Sequence, residues 1–507
     1  MSLPSHHSFW VRDPTTGSAG LTQRFDRLAD DLYTEVAIVG AGITGLSTAI
    51  ELLDRGFQVS VFEASLIGAG TTGASTGHLD AHPEYGPSNL LKTLKLSVAR
   101  EVVQLRLRAI DQIEQRAGSG CDFQRVPGWH YGETIRDREQ LQTDCELCGQ
   151  LGLETSWEEN LPIRHGACGY RIKGMARIDS YAYLQDLAER VVKAGGRIFE
   201  NTHVTIGGEF DRIALRAGPH AIFSDAIVCA VHSNYTNVLR LDLQLPAYQS
   251  YALVVRVKED QPDGLFWDNR SPYYYIRRVN SSDPRLLMVG GADHRTGTNH
   301  PEESKNTLRK YVSDRFRVEE ILAEWSGEYF DPADGLPFIG PIPHRDKIWL
   351  AAGFRGAGLT WGTAAATLIA AQIAGEKSDL DSHLMPGRSV LAGLPRVASE
   401  LLPALASYAQ RILPAPPIDR SSLAPGEGAV GLVDGHRMAI CRDLDGCEHR
   451  LSPICSHLGG VVRWNQAAQT WDCPVHGGRY AADGTRLYGP PPRDLTSLSP
   501  KTTPPPG

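Results

Sequence analysis

Two short stretches near the end of the chain carry residue types suited to redox-metal chemistry: Cys455-Ser-His457 and, after fifteen intervening residues, Cys473-Pro-Val-His476. Each arm offers one thiolate and one imidazole. That mixture suits a [2Fe–2S] centre in which two cysteines hold one iron and two histidines the other. A structural zinc ion also accepts two cysteines and two histidines, but its usual pattern pairs Cys with Cys and His with His. Cys455, His457, Cys473 and His476 are the candidate metal ligands, with the cluster ahead of zinc.

A second constellation lies near the start. Glu35-Val-Ala-Ile-Val39 reads as a short buried strand, followed by Gly40-Ala-Gly42-Ile-Thr-Gly45 and a helical run to Leu53. Gly56 breaks that helix, and Phe57–Phe62 reads as a second strand ending at Glu63. In such a βαβ unit the first glycine makes the tight turn and the second lets backbone approach a pyrophosphate. The third lets helix and strand pack closely. The helix N-terminus then offers unpaired N–H groups to phosphates. Glu63, 18 residues after Gly45, is placed to accept from a ribose diol.

The chemistry narrows with two further glycine-rich segments. Gly68-Ala-Gly70-Thr-Thr-Gly73-Ala-Ser75-Thr-Gly77 follows the second strand directly. Much later come Asp334-Gly-Leu-Pro-Phe-Ile-Gly340-Pro, then Gly353-Phe-Arg-Gly356-Ala-Gly358-Leu-Thr360 and a helix-like stretch from Trp361 to Ile373. In these three separated motifs, over about 35–380, the chain resembles the FAD-dependent D-amino-acid oxidase and glycine oxidase superfamily. The resemblance implies FAD contacts at Gly40, Gly42, Ile43, Thr44, Gly45, Glu63 and Ala64, and at Gly70, Thr71, Thr72 and Ser75. It implies more at Val204, Gly353, Gly356, Gly358, Leu359 and Thr360. No second Gly-x-Gly-x-x-Gly follows a strand downstream, so the flavin is expected to be reduced by an organic substrate rather than by NAD(P)H.

Between these motifs, Met175–Tyr181 leads into an amphipathic helix ending near Gly195-Gly196. Alternating segments at Tyr248–Arg256, Tyr273–Arg278 and Leu286–Gly291 predict strands of an antiparallel sheet over about 245–330. In the resembled superfamily that sheet roofs the flavin. Its amino-acid oxidases clamp a carboxylate with an Arg at the position that here is Tyr329, so an amine-like or larger substrate is expected. Tyr275, Arg277 and Arg278 offer polar contacts or simply face outward. His78 stands near where some relatives attach FAD covalently, and a hydrogen-bonding or structural role is the reading preferred here. No catalytic base declares itself; His78, Tyr275, Arg277 and Tyr329 are the candidates.

Pro-, Gly- and Ser-rich stretches at Asp379–Gly387 and Pro414–Gly428 predict linkers, with a bridging helix over Ser389–Leu413. Short strands at Ala429–Val433, Arg437–Cys441 and Val461–Trp464 predict a small β domain over 420–498. The whole chain from residue 35 is similar to bacterial FAD oxidoreductases with a C-terminal Rieske domain. Many Rieske proteins carry a disulfide between the two ligand loops; the matching positions here are Gly460 and Val475. A serine that often donates to a cluster sulfur is Gly478, while Tyr480 is kept. Fewer donors to the sulfurs predict a potential at the low end of the Rieske range, around −150 mV. Gly489-Pro-Pro-Pro492 is expected to shield the cluster. Only 31 residues follow His476, too few for the His/His/carboxylate iron site of an oxygenase.

The expected architecture is an α/β FAD-binding Rossmann-like domain with an α+β substrate domain, plus a small all-β Rieske domain. The divisions are a 1–34 N-terminal segment, a 35–380 oxidoreductase domain, a 381–419 linker, the 420–498 cluster domain and a 499–507 tail. A net charge of −8 without a long basic run argues against nucleic acid as a partner. No apolar stretch is long enough for a membrane span. The polar start reads as no signal peptide, and nine scattered cysteines suit a reducing cytoplasm. Cys145 and Cys148 read as two helix thiols one turn apart. The cofactors implied are FAD and a [2Fe–2S] cluster, with a small-molecule substrate and an external donor or acceptor such as a ferredoxin, quinone or other redox protein. Outward relay of electrons from a substrate is the leading expectation. Inward flow to a reductase or tailoring enzyme, and a non-catalytic electron-transfer module, are the alternatives.

Overall fold

Strand Leu32–Val39 is the centre of the molecule, buried on both faces from Val36 to Val39. Such a continuous apolar run is what a parallel strand covered by helices needs. In this computed structural model, which describes residues 8–12, 24–207, 213–233, 241–298, 301–388 and 404–498, that strand lies between Val59–Phe62 and His220–Cys229, parallel to both. The sheet runs Phe338–Ile342, Arg345–Ala352, His220–Cys229, Leu32–Val39, Val59–Phe62, Arg197–Phe199, with Thr205–Gly207 and Ile213–Ala217 as an antiparallel flap. Helix Ile43–Leu53 packs on helices Gly358–Ile373 and Ser180–Lys193. A β-carbon at Gly362 would stand 2.6 Å from Thr44 Oγ1, so the two glycine-led helices cross in close contact. Their N-termini consequently open on one space.

A second sheet covers that space. Its order is Val318–Phe330, Ala247–Val257, Leu286–Arg295, Tyr275–Arg278, Leu265–Asp268, Gln124–Gly132, Cys168–Arg177, His78–Leu79, with Thr155–Glu158 beside Cys168–Arg177. The sheet expected over 245–330 thus extends to strands from 78–177, and the pairing of Leu265–Asp268 with Gln124–Gly132 is parallel. Gln124–Gly132 contains Pro127, Gly128 and Gly132 and is irregular where it meets Cys168–Arg177. These features hide it from a reading of alternation.

The cluster domain has a three-stranded sheet, Gly428–Val433, His436–Arg442 and Glu448–Leu451, and a four-stranded one, Arg463–Asn465, Thr470–Asp472, Arg479–Ala481 and Arg486–Tyr488. Its core holds Trp471, Tyr480, Cys455 and Cys473 together. Of the bridging helix predicted over 389–413, the part before 404 lies outside the described residues; 404–409 are helical, and Ser407 Oγ accepts from Val461 N at 2.9 Å. The predicted tail likewise lies outside the described residues. Among the described residues no helix is long and apolar enough to cross a membrane. Cys145 and Cys148 are buried on helix Arg138–Gln150.

Candidate functional site

A cavity of about 1650 Å³ runs between the two sheets. Its floor is the first βα turn: Gly40, Gly42, Ile43 and Thr44 line it, as do Glu63 and Ala64 from the end of the second strand. Glu63 accepts from Ala41 N at 3.0 Å and Ser65 N at 2.9 Å, and burial raises its pKa. Gly70, Thr71, Thr72 and Ser75 form one wall, with Thr72 Oγ1 accepting from Ile43 N at 3.1 Å. Val204, Gly356, Gly358 and Leu359 complete this part. Neither N-cap residue, Gly42 of helix Ile43–Leu53 nor Ala357 of helix Gly358–Ile373, makes a side-chain cap bond; Ile43 N is taken by Thr72, and the following N–H groups of both first turns face anionic groups. The cavity is long, glycine-walled and fed by two helix termini, which fits an extended dinucleotide.

Three of the residues expected to touch FAD lie behind that wall. Gly45 packs under Gly40, whose carbonyl a β-carbon there would strike. Gly353 has a φ of +79° and packs against Leu245 and Pro332. Thr360 is buried and donates to Ala357 O at 3.2 Å, closing the first turn of its helix. Their task is to shape the turn rather than to line the cavity.

Beyond the flavin motifs the cavity becomes aromatic and acidic. His78 lines it, with Nδ1 3.1 Å from Thr76 Oγ1 and its ring against Trp267 and Tyr275. Burial holds its pKa well below the usual value, so the ring is neutral. Tyr275 lines the cavity with Oη 3.1 Å from Ser250 Oγ. Tyr329 donates to Asp293 Oδ2 at 2.9 Å. Arg277 differs from expectation. It is fully buried, and its guanidinium donates to the carbonyls of Thr76 (2.5 Å), Arg278 (2.8 Å), Val279 (3.1 Å) and Ile178 (3.2 Å). It ties the loop after Ser75 to the sheet and reaches no cavity. Arg278 donates to Gln261 O at 2.7 Å.

Sequence reasoning missed several neighbours. Arg355, at φ +50°, faces the cavity over the Tyr85 ring, 3.6 Å from Asp331 and 4.0 Å from Glu84. Burial pushes the Glu84 carboxyl up to about 7, against the pull of Arg106 and Arg355. The His82 and His130 rings stack at 3.8 Å, and His82 Nε2 lies 2.9 Å from Tyr170 Oη. Burial pushes His130 down to about 3. The glycine flanks of Arg355 and the Gly290-Gly291 pair before Asp293 were the available signals.

The two ligand arms meet in the cluster domain. Cys455 and Cys473 are 3% and 2% exposed, and their sulfurs share a hydrogen bond that brings Cys455 down to about 7 and drives Cys473 up. Tyr480 Oη is 3.2 Å from Cys455 Sγ. The His457 and His476 rings stand 5.0 Å apart, and His476 Nε2 is buried without a hydrogen-bond partner. Burial holds His457 near 4 and His476 near 3, so both are neutral and able to ligate. A β-carbon at Gly460 would stand 2.9 Å from Cys473 Sγ and 2.5 Å from Val475 Cγ2. The site is therefore bare where a larger residue would intrude. Among the described residues no three His, Cys, Asp or Glu side chains converge on one point. A thiol pair beside an imidazole pair is the division two irons need.

The ligand loop docks on the substrate sheet. A β-carbon at Gly477 would stand 2.8 Å from Glu328 Oε1, and one at Gly297 would stand 2.6 Å from Pro474 N. The side-chain amides of Asn465 and Gln249 lie 3.1 Å apart, and Arg486 Nη1 lies 3.0 Å from His203 Nε2. Glu328 itself lines the cavity.

Residues 35–372 match the family model described as FAD dependent oxidoreductase, and 416–499 match the Rieske [2Fe-2S] domain. The chain belongs to the FAD-dependent oxidoreductase family. This oxidoreductase carries FAD and a Rieske-type [2Fe–2S] cluster, and its fold is the α/β and α+β pair with a small all-β domain. It is 30% identical to the Rieske 2Fe-2S iron-sulfur protein YhfW of Bacillus subtilis (strain 168), over 94% of this chain and 95% of that one. It is 23% identical to gamma-glutamylputrescine oxidoreductase of Escherichia coli (strain K12), over 72% of this chain and 89% of that one. The crystal structure of glycine oxidase from Geobacillus kaustophilus shares the fold of the oxidoreductase part, with a TM-score of 0.61 at 20% identity, covering 71% of this chain and all of that one.

Proposed function

We propose that this oxidoreductase oxidises a small amine-like substrate at FAD and passes the electrons singly through the Rieske cluster to an external redox partner. The observation that carries the relay is the contact of Gly477, beside His476, with Glu328 in the wall of the flavin cavity. The cluster loop and the flavin cavity then share one wall, which supports transfer within one docked chain. When bound, FAD supplies a two-electron acceptor and the cluster a one-electron carrier.

In this reading Cys455, Cys473, His457 and His476 hold the cluster, and Tyr480 donates to a ligand sulfur. Gly40, Gly42, Thr44, Glu63 and the Gly70–Ser75 loop hold FAD. The aromatic and acidic cavity orients the substrate and excludes water. Tyr329 stands where an amino-acid oxidase would place its carboxylate-binding Arg, and Asp293 lies beside it, so a cation is preferred to an anion. The resemblance to gamma-glutamylputrescine oxidoreductase agrees with a carbon–nitrogen substrate. The amine would lose a proton from nitrogen to solvent and a hydride from carbon, for which bound FAD would be the acceptor, and leave as an imine. The two electrons would then leave one at a time, to two molecules of a one-electron carrier such as a ferredoxin or to one quinone.

Anaerobic mixing of the holoenzyme with primary and secondary amines tests the reading. Bleaching of the flavin, followed by the EPR signal of a reduced Rieske cluster, is expected. Bleaching by NADH or by a reduced ferredoxin, with none by amines, would reverse the assigned direction of flow.

A further inference from the structure

The side chain that selects the substrate's charge is identifiable from a break in the second sheet. Along strand Leu286–Arg295, Gly291 pairs with Tyr251 and His294 with Gln249, so Ala292 and Asp293 together face the single residue Ser250. This is a β-bulge, a device that re-aims a side chain beside functional sites. Ala292 sits at φ +56°, a left-handed conformation that non-glycine residues hold only where surrounding structure enforces it. The effect is to turn the Asp293 carboxyl into the cavity.

Once there, the carboxyl is incompletely satisfied. Oδ2 accepts from Tyr329 Oη at 2.9 Å and the Ser250 hydroxyl lies beside the carboxyl, while Oδ1 is buried with no hydrogen-bond partner and burial raises the carboxyl's pKa. Leaving a buried acceptor unmade is costly, so the site is completed by a donor that arrives with the ligand. Arg355 faces the same end of the cavity, against Asp331 and Glu84 and over Tyr85; its charge also acts on Asp293, and its Nη1 is buried without a hydrogen-bond partner. Around Asp293 stand Tyr273, Tyr275 and Tyr329, whose electron-rich ring faces favour cations. Tyr273 and Tyr275 have ring centroids 6.1 Å apart.

We infer that Asp293 is the specificity-determining residue of this site, anchoring the cationic nitrogen of the substrate within walls formed by Tyr273, Tyr275 and Tyr329. The assignment rests on the amine reading above. The ligand class is a primary or secondary alkylamine or diamine.

The test is anaerobic titration of the full-length holoenzyme with n-butylamine, N-methylbutylamine and putrescine, with n-butanol as an uncharged control, following the flavin absorbance. Relative to wild type, D293N is expected to weaken amine binding at least about tenfold, the loss of one charge-assisted hydrogen bond. The limiting rate of flavin reduction changes less, n-butanol is unaffected, and FAD and cluster contents are retained. D293E, which keeps the charge but displaces it, shows a smaller loss confined to the amines. Should D293N fail to retain FAD, D293E decides: equal loss for amines and n-butanol overturns the proposal. Amines that bleach wild type and D293N with equal affinity overturn the role of Asp293 and leave the amine reading standing. A wild-type flavin bleached by no amine overturns the substrate reading, and this assignment with it.

Discussion

Gly477 of the cluster domain and Glu328 of the substrate sheet meet face to face: a β-carbon on Gly477 would lie 2.8 Å from Glu328 Oε1 and in collision with Ala247. Gly477 follows the candidate ligand His476 directly, and Glu328 borders the flavin cavity. Glu328 is 3% exposed and accepts from Thr296 Oγ1 at 3.2 Å, and burial raises its pKa well above the usual carboxylate range, against the pull of Arg479. Only a glycine allows the ligand loop to sit this close.

Docking, then, is open to a targeted clash. Gly297 has a φ of +70°, and its β-carbon would stand 2.6 Å from N of Pro474, the residue that follows the candidate ligand Cys473, so iron content is checked beside the rates. G297V overpacks the interface by about 1–3 kcal/mol, lowering the docking equilibrium by about 5- to 150-fold. Stopped-flow mixing should show flavin reduction at the wild-type rate and cluster reduction slowed by a comparable factor. Equal rates in both steps would mean that this contact does not carry the transfer.

The cluster potential follows from the donors at its sulfurs. Tyr480 Oη sits 3.2 Å from Cys455 Sγ, and Gly478 offers no hydroxyl. An EPR-monitored redox titration should place the midpoint near −150 mV, the low end of the Rieske range. One hydrogen bond of about 1 kcal/mol corresponds to roughly 40 mV for one electron. Y480F should lower the midpoint by about that amount or more. A strongly positive wild-type midpoint would refute the argument.

Glu84 gives the site a pH dependence whose sign is fixed. Burial raises its folded-state pKa from 4.5 to about 7. The folded chain therefore keeps a proton that the unfolded chain releases near pH 4.5. Stability from this group is full below that pH and falls by about 3 kcal/mol as pH rises to about 7. Thermal unfolding of wild type and E84Q between pH 4.5 and 8 should show this decline in the wild type and a flatter curve in E84Q. Parallel curves would contradict the assignment.

Much of the site could be read from the chain because its chemistry is local. The Cys-x-His and Cys-x-x-His arms and the Gly40–Gly45 turn each lie within a few residues, and every position has one steric or ligand demand. Asp293 was hidden because the bulge that aims it exists only in the pairing of two strands about forty residues apart in sequence. Arg277 read as either a polar contact of the cavity or an outward-facing residue, because a strand's alternation does not say which face is dry; it does neither and clamps Thr76 and Ile178. The strand at Gln124–Gly132 escaped notice because Pro127 and two glycines break its pattern. The contact of Gly477 with Glu328 joins two domains, and no local rule reaches that far.

The relay is tested most directly by rapid anaerobic mixing with a reducing amine, following flavin and cluster absorbance separately over a range of enzyme concentrations. Cluster reduction should follow flavin reduction with a first-order rate independent of enzyme concentration, as transfer within one docked chain requires. A rate rising in proportion to enzyme concentration, or a cluster that stays oxidised beside a fully reduced flavin, would contradict it.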